Sequence, residues 1–152
     1  MKQVSYDQLT EQQQRLLDAA EESMNTHLFV DSDYGSYIGA ALLTDKYDII
    51  IKLCVILNAV CWENNVNVWD VKGKRRFKEL VTARREYCYI ACKLTQLSEQ
   101  NSYGNSLTKI GIGVGIDYAT VLHHKRKIEG WLDMGKYNLK EKLELIEGRL
   151  RF

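Results

Sequence analysis

The chain has 152 residues, enough for one ordinary domain or two small ones, and enough to bury a core without disulfide or metal staples. Apolar residues make up 45% and charged residues 27%, which excludes a disordered or fibrous chain, and proline is absent. The net charge of +1 conceals an uneven distribution: Met1–Val71 sums to −7 and Lys72–Lys93 to +6, an asymmetry that points to a nucleic-acid face or to a solvated basic helix end.

Ser5-Tyr6-Asp7-Gln8 has capping-box spacing, and Leu9, Leu16, Ala20 and Met24 follow with helical periodicity, predicting a first helix to about His27. Asp31–Gly39 reads as a connector. Thr44 or Asp45 is placed to cap a second helix through the apolar run Ile49–Trp62, which ends at Asn64-Asn65. That run is fourteen residues long and interrupted by Lys52 and Asn58, so it reads as a buried helix and not as a membrane span. A short helix is expected over Val68–Lys72 and a longer one over about Leu80–Leu97, with Val81, Tyr87 or Cys88, Ala91 and Leu94 on one stripe. Gln100–Ser106 carries turn signals. Asn138-x-x-Glu141 opens a last amphipathic helix carrying Leu139, Leu143, Ile146 and Leu150. No segment alternates as a strand does. The expectation is an all-α, multi-helix domain containing a helix-turn-helix, with an extra N-terminal helix and a C-terminal amphipathic helix.

The N-terminal residues lack the apolar core of a signal peptide, which points to a cytoplasmic protein. Four cysteines stand at 54, 61, 88 and 92, and without a secretory signal they read as buried, inert thiols. Cys88 and Cys92 with His123 or His124 are the one metal alternative, but their spacing is not that of a zinc knuckle. No metal or cofactor is expected. No nucleophile, base and carboxylate stand in a catalytic arrangement either, so the chain reads as a non-enzyme.

Between Ser106 and Leu132 the pattern is short helix, tight turn, longer helix. Leu107, Ile110 and Val114 supply the packing face of the first helix, Gly115 suits the turn, and Asp117 stands at an N-cap position. Tyr118, Ala119 and Thr120 then occupy an exposed first turn, while Val121, Leu122, Ile128 and Leu132 anchor the helix; Lys125, Arg126 and Lys127 ride further along. This is helix-turn-helix logic, in which the start of the second helix reaches base edges. Lys72–Gly130 sums to +7, enough for several phosphate contacts.

The run Ile110-Gly-Ile-Gly-Val-Gly-Ile-Asp-Tyr-Ala-Thr-Val-Leu-His-His-Lys-Arg-Lys-Ile128 resembles the signature of the C-terminal DNA-binding domain of DnaA, the bacterial replication initiator, roughly I-G-x-x-[FL]-G-R-D-H-[ST]-T-V-x-H-x-x-x-K-I. Upstream, Val68-Trp-Asp-Val-Lys-Gly-Lys-Arg-Arg-Phe-Lys-Glu-Leu-Val-Thr-Ala-Arg-Arg85 resembles the family's basic loop and the helix it feeds. The likeness covers about residues 48–132. It implies a Trp-repressor-like helix-turn-helix that binds double-stranded DNA, with Arg76 at the minor-groove position and Lys74 and Arg75 beside it. Arg84 falls on a backbone-contacting position, and Arg85 stands where a polar residue is usual. Asp117, Tyr118, Ala119 and Thr120 fall on or beside the base-reading positions. His123 and His124 lie one turn on, and Lys127 completes the candidate set.

The departures are specific. Ile116 replaces the family's Arg, Tyr118 its His and Ala119 a frequent Thr, so the site read need not be the family's usual one. Cys92 stands where a basic residue is common, and about Ser98–Ser106 is an insertion. No G-x-x-x-x-G-K-[ST] loop occurs, so a stand-alone version without the ATPase module is expected. The organisation anticipated is an acidic helical extension over 1–45, the helix-turn-helix domain over 46–132 and an amphipathic helix over 133–152. The function expected is sequence-specific DNA binding in replication, transcription or phage and mobile-element control, in the nucleoid or a phage-infected cell. The alternative is a non-enzymatic adaptor or virion-associated protein that keeps the fold, with a protein partner or self-association through the N-terminal extension.

Overall fold

The computed structural model describes residues 3–25, 28, 30–31, 49–95, 105–136 and 138–150. They form helices packed on one apolar core, with one short strand pair, β1 (Gln3–Val4) against β2 (Val30–Asp31), antiparallel with Val4 opposite Val30. Two residues per strand are too few to leave an alternating pattern, which is why the sequence does not announce them.

Ser5 opens only a 3-10 turn, Tyr6–Gln8, and not the first long helix. Leu9 is extended and buried, which breaks the helix there. α1 (Glu11–Met24) starts after a second capping box, in which the Gln13 amide donates to Thr10 Oγ1 at 3.1 Å and the Thr10 amide to Gln13 Oε1 at 3.0 Å. It stops before His27 because Asn25 turns left-handed, at φ 50°. Beyond Asp31 the expected connector, and both candidate caps Thr44 and Asp45, lie outside the described residues.

α2 (Ile49–Asn64) is the central element: Leu53, Val55, Ile56, Leu57, Ala59 and Val60 are all buried, and over residues 52–64 it shows no solvent stripe. Its polar exception, Asn58, donates to the Cys54 carbonyl at 2.9 Å and to Ser23 Oγ at 3.3 Å, which ties α1 to it. Asn65, at φ 53°, ends the helix where the Asn pair predicts. α3 (Val68–Lys72) is capped by Asn67, whose Oδ1 accepts the Trp69 amide at 2.9 Å.

α4 (Lys78–Thr95) buries Leu80, Ala83, Tyr87, Ile90 and Ala91 against α2 and the helix-turn-helix. Leu94, expected on its apolar stripe, is instead exposed near the end of the helix. α5 (Asn105–Ile112) takes in Asn105 and Ser106, which read as loop; the rest of the insertion lies outside the described residues. α6 (Tyr118–Asp133) follows the tight turn, and α7 (Leu139–Gly148) buries Leu139, Leu143 and Ile146. Asn138 does not cap α7 with its side chain: it is left-handed, at φ 60°, and reverses the chain by backbone conformation alone.

α7 is fastened to α2 and α4 by charge as well as by apolar contact. Glu86 is only 1% exposed, and its carboxylate receives Lys142 Nζ at 2.9 Å and Asn64 Nδ2 at 2.8 Å. Lys142 also donates to Asn64 Oδ1 at 2.6 Å, so the buried charge is both neutralised and hydrogen-bonded. Lys93–Glu147, at 3.0 Å, and Arg149–Glu63 extend this seam. The four thiols are free, and burial raises the Cys61 and Cys88 pKa values. Among the described residues no helix is long and apolar enough to cross a membrane.

Candidate nucleic-acid interface

The helix-turn-helix is set by close approaches that only glycine permits. A Cβ on Gly111 would lie 2.3 Å from the Ile116 carbonyl oxygen and 3.2 Å from Val121 Cγ2. The bare backbone instead lets the Gly111 carbonyl accept both the Val114 and the Ile116 amides at 3.0 Å, which closes the turn. Gly115 takes φ 71°, the left-handed conformation expected of it. Tyr87, fully buried on α4, donates its hydroxyl to the Ile110 carbonyl at 2.8 Å and fixes the end of α5. These two contacts, through Gly111 and Tyr87, escape a reading of the sequence that assigns the turn to Gly115 alone. The Ile-Gly-Ile-Gly-Val-Gly spacing was the available signal.

Asp117 is the N-cap of α6. Its Oδ1 accepts the Thr120 amide at 2.8 Å, and hydrogen bonds from the Thr120 side chain and backbone hold its carboxyl below the usual carboxylate range. Val121 and Ile128 are buried beneath, so the first turn is rigid while Tyr118 and Ala119 face solvent. Tyr118 is 54% exposed, a large aromatic ring set at the surface of this turn.

Across from this turn lies the basic loop between α3 and α4. Lys74, Arg75 and Arg76 are exposed and make no ion pair among the described residues. The loop and the start of α6 share a groove of about 540 Å³, lined in part by Lys74, Arg76, Arg84, Gly115, Thr120 and His124. Lys74, Arg76, Arg84, Thr120 and His124, five of the twelve expected residues, therefore line one groove.

Three expected residues are placed differently. Arg84 is 6% exposed, and its guanidinium is already engaged: Nε donates to the Val71 carbonyl at 2.9 Å, and Nη2 to those of Gly73 at 2.9 Å and Asp70 at 3.3 Å. It caps the C-terminus of α3 and so shapes the loop that carries Arg76. His124 is 8% exposed, and burial, followed by Arg85, His123 and Arg84, pushes its pKa down to about 4, so it is neutral at physiological pH. Arg85 turns to the other side of α4, where its guanidinium sits 5.2 Å from the centre of the Trp131 ring. His123 is exposed on α6, and Lys127, also exposed, lies 5.8 Å from the same indole.

Residues 54–128 match the family model described as the bacterial dnaA protein helix-turn-helix. The chain is 33% identical over 105 residues to the chromosomal replication initiator protein DnaA of Thermodesulfovibrio yellowstonii, an alignment covering 68% of this chain and 22% of that protein. It is 40% identical over 74 residues to the proteins of the same name from Lacticaseibacillus casei and Lacticaseibacillus paracasei, covering 48% of this chain and 15% of each. No solved structure matches the chain. The matched segment runs from α2 through most of α6 and contains the basic loop, the Gly111 contact and the Asp117 cap in order. Residues 54–128 belong to the bacterial DnaA helix-turn-helix family.

Proposed function

We propose that the protein binds double-stranded DNA sequence-specifically, reading the major groove with the first turn of α6 while the 74–76 loop enters the adjacent minor groove. The single observation that carries this reading is the pairing of an exposed, internally capped recognition turn with an exposed cationic loop across one groove. Tyr118, Ala119 and Thr120 supply a ring, a methyl and a hydroxyl to base edges, and Asp117 combines capping with a cytosine contact. Lys74, Arg75 and Arg76 supply phosphate and minor-groove contacts. Arg84 acts through the loop it shapes. The relatives' name places them in replication initiation; for this chain, control of replication, transcription or a mobile element in the cytoplasm is the corresponding role.

Selection of bound sequences from a random duplex pool tests the reading and should return a motif. Tyr118→Ala should leave melting unchanged, cost about 1–3 kcal/mol on the selected site and far less on random duplex. Equal small losses on both DNAs would remove base readout from the start of α6.

A further inference from the structure

Three cations converge on Trp131 of α6. Lys136 Nζ lies 3.7 Å from the ring centre, Arg85 at 5.2 Å and Lys127 at 5.8 Å. One indole quadrupole offsets only part of the repulsion among three like charges held this close. The ring lines a cleft of about 560 Å³ between α4, the end of α6 and the start of α7, with Lys78, Arg85, Lys136 and Lys142 on its walls. Among the described residues the one carboxylate lining it, Glu86, is already paired with Lys142. Arg85 Nε, moreover, is buried with no hydrogen-bond acceptor among the described residues. An unsatisfied buried charge-bearing donor beside Lys78 and Lys136, which have no carboxylate partner among the described residues, calls for an oxyanion with several acceptor oxygens.

We propose that this cleft is a second phosphate site, occupied by the phosphodiester backbone that flanks the bases read by Tyr118. The proposal rests on the DNA-binding reading above. Val81 of α4 lines both this cleft and the recognition groove, so the two adjoin across α4. From Thr120 to Trp131 the rise along α6 is about 16 Å, slightly more than the roughly 12 Å width of the major groove, so a strand bordering the groove comes within reach. Arg85 donates from its guanidinium edge to one phosphate, Lys136 follows as a point charge, and Trp131 holds both in place.

The test compares wild type, Lys136→Gln and Arg85→Gln/Lys136→Gln on the selected duplex with long flanks and on one trimmed to the bases read. The log–log salt slope on the long duplex should fall by about 1 for the single variant and about 2 for the double, with no difference between proteins on the trimmed duplex. Lys136 is exposed, so the single variant keeps the test valid if the double variant fails to fold. An unchanged slope on the long duplex, or an equal loss on both duplexes, overturns the proposal. If wild type binds no duplex at all, the DNA-binding reading falls by itself, and the cleft is then judged with inorganic pyrophosphate followed by tryptophan fluorescence. Saturable quenching lost in Lys136→Gln would keep a site for free phosphate groups, and no quenching would remove it.

Discussion

Two regions of this molecule are built from the same charged residue types and use them in opposite ways. At the seam of α7, Glu86, Lys142 and Asn64 complete one another inside the protein, and Arg149 and Lys93 find Glu63 and Glu147. At the groove, Lys74, Arg75 and Arg76 stand in solvent with no carboxylate partner among the described residues. The seam spends its charges on holding a helix, whereas the loop leaves its charges available. What separates them is whether an acceptor is supplied within the chain. Arg84 shows that position near a groove does not decide the matter: it lines the groove, yet three backbone carbonyls already accept from it.

The contrast breaks most sharply at the seam. Lys142→Met would leave the Glu86 carboxylate buried with only the Asn64 amide, and should cost about 3 kcal/mol in denaturant unfolding. Affinity for a duplex trimmed to the bases read, measured where the variant is still folded, should be unchanged, because the cleft that Lys142 lines is proposed to meet only the flanks. A variant as stable as wild type would show that the seam is not what neutralises Glu86.

Arg84→Lys tests the mixed case. An ammonium cannot reproduce the planar fork that reaches the Val71, Asp70 and Gly73 carbonyls, so the loss should be about 1–2 kcal/mol. Duplex affinity should fall on all sequences alike, because the loop is loosened and no base contact is removed. Full stability with weakened binding would instead make Arg84 a direct phosphate contact.

Arg75→Ala belongs at the other pole. Stability should stay within about 0.5 kcal/mol, and the salt slope should lose about 0.9 for one phosphate. A stability loss above that would mean that the loop's charges, too, are used internally.

His124 sharpens the comparison through pH alone. Its folded pKa of about 4 lies below the ordinary 6.5, so the unfolded chain takes up the proton first as pH falls. The stability associated with neutral His124 is complete above pH 6.5 and is lost progressively between 6.5 and about 4. His124→Leu should flatten that part of the melting-temperature profile and leave the profile above pH 7 unchanged. An identical acid decline in both proteins would place the titrating group elsewhere.

Much of this was legible in the residues by themselves. Helical periodicity and the Asn64-Asn65 and Gly73 stops gave the end of α2 and both ends of α3 almost to the residue, because local backbone preferences and apolar spacing are local properties. Gly115 and Asp117 were equally readable, since a left-handed turn and an N-cap are fixed by the residue and its immediate neighbours. Where two local signals competed, packing chose between them: Ser5 and Thr10 both open capping boxes, and burial of Leu9 gave the long helix to Thr10. The fate of the charges was decided by tertiary structure alone. Nothing about Arg84 and Arg85 as neighbours in sequence tells that one turns to the carbonyls ending α3 and the other to Trp131, because successive positions on a helix point about 100° apart and meet different partners. Whether a cation serves the fold or remains free for a ligand depends on acceptors brought from distant parts of the chain, and only the folded arrangement of α3, α4, α6 and α7 supplies or withholds them.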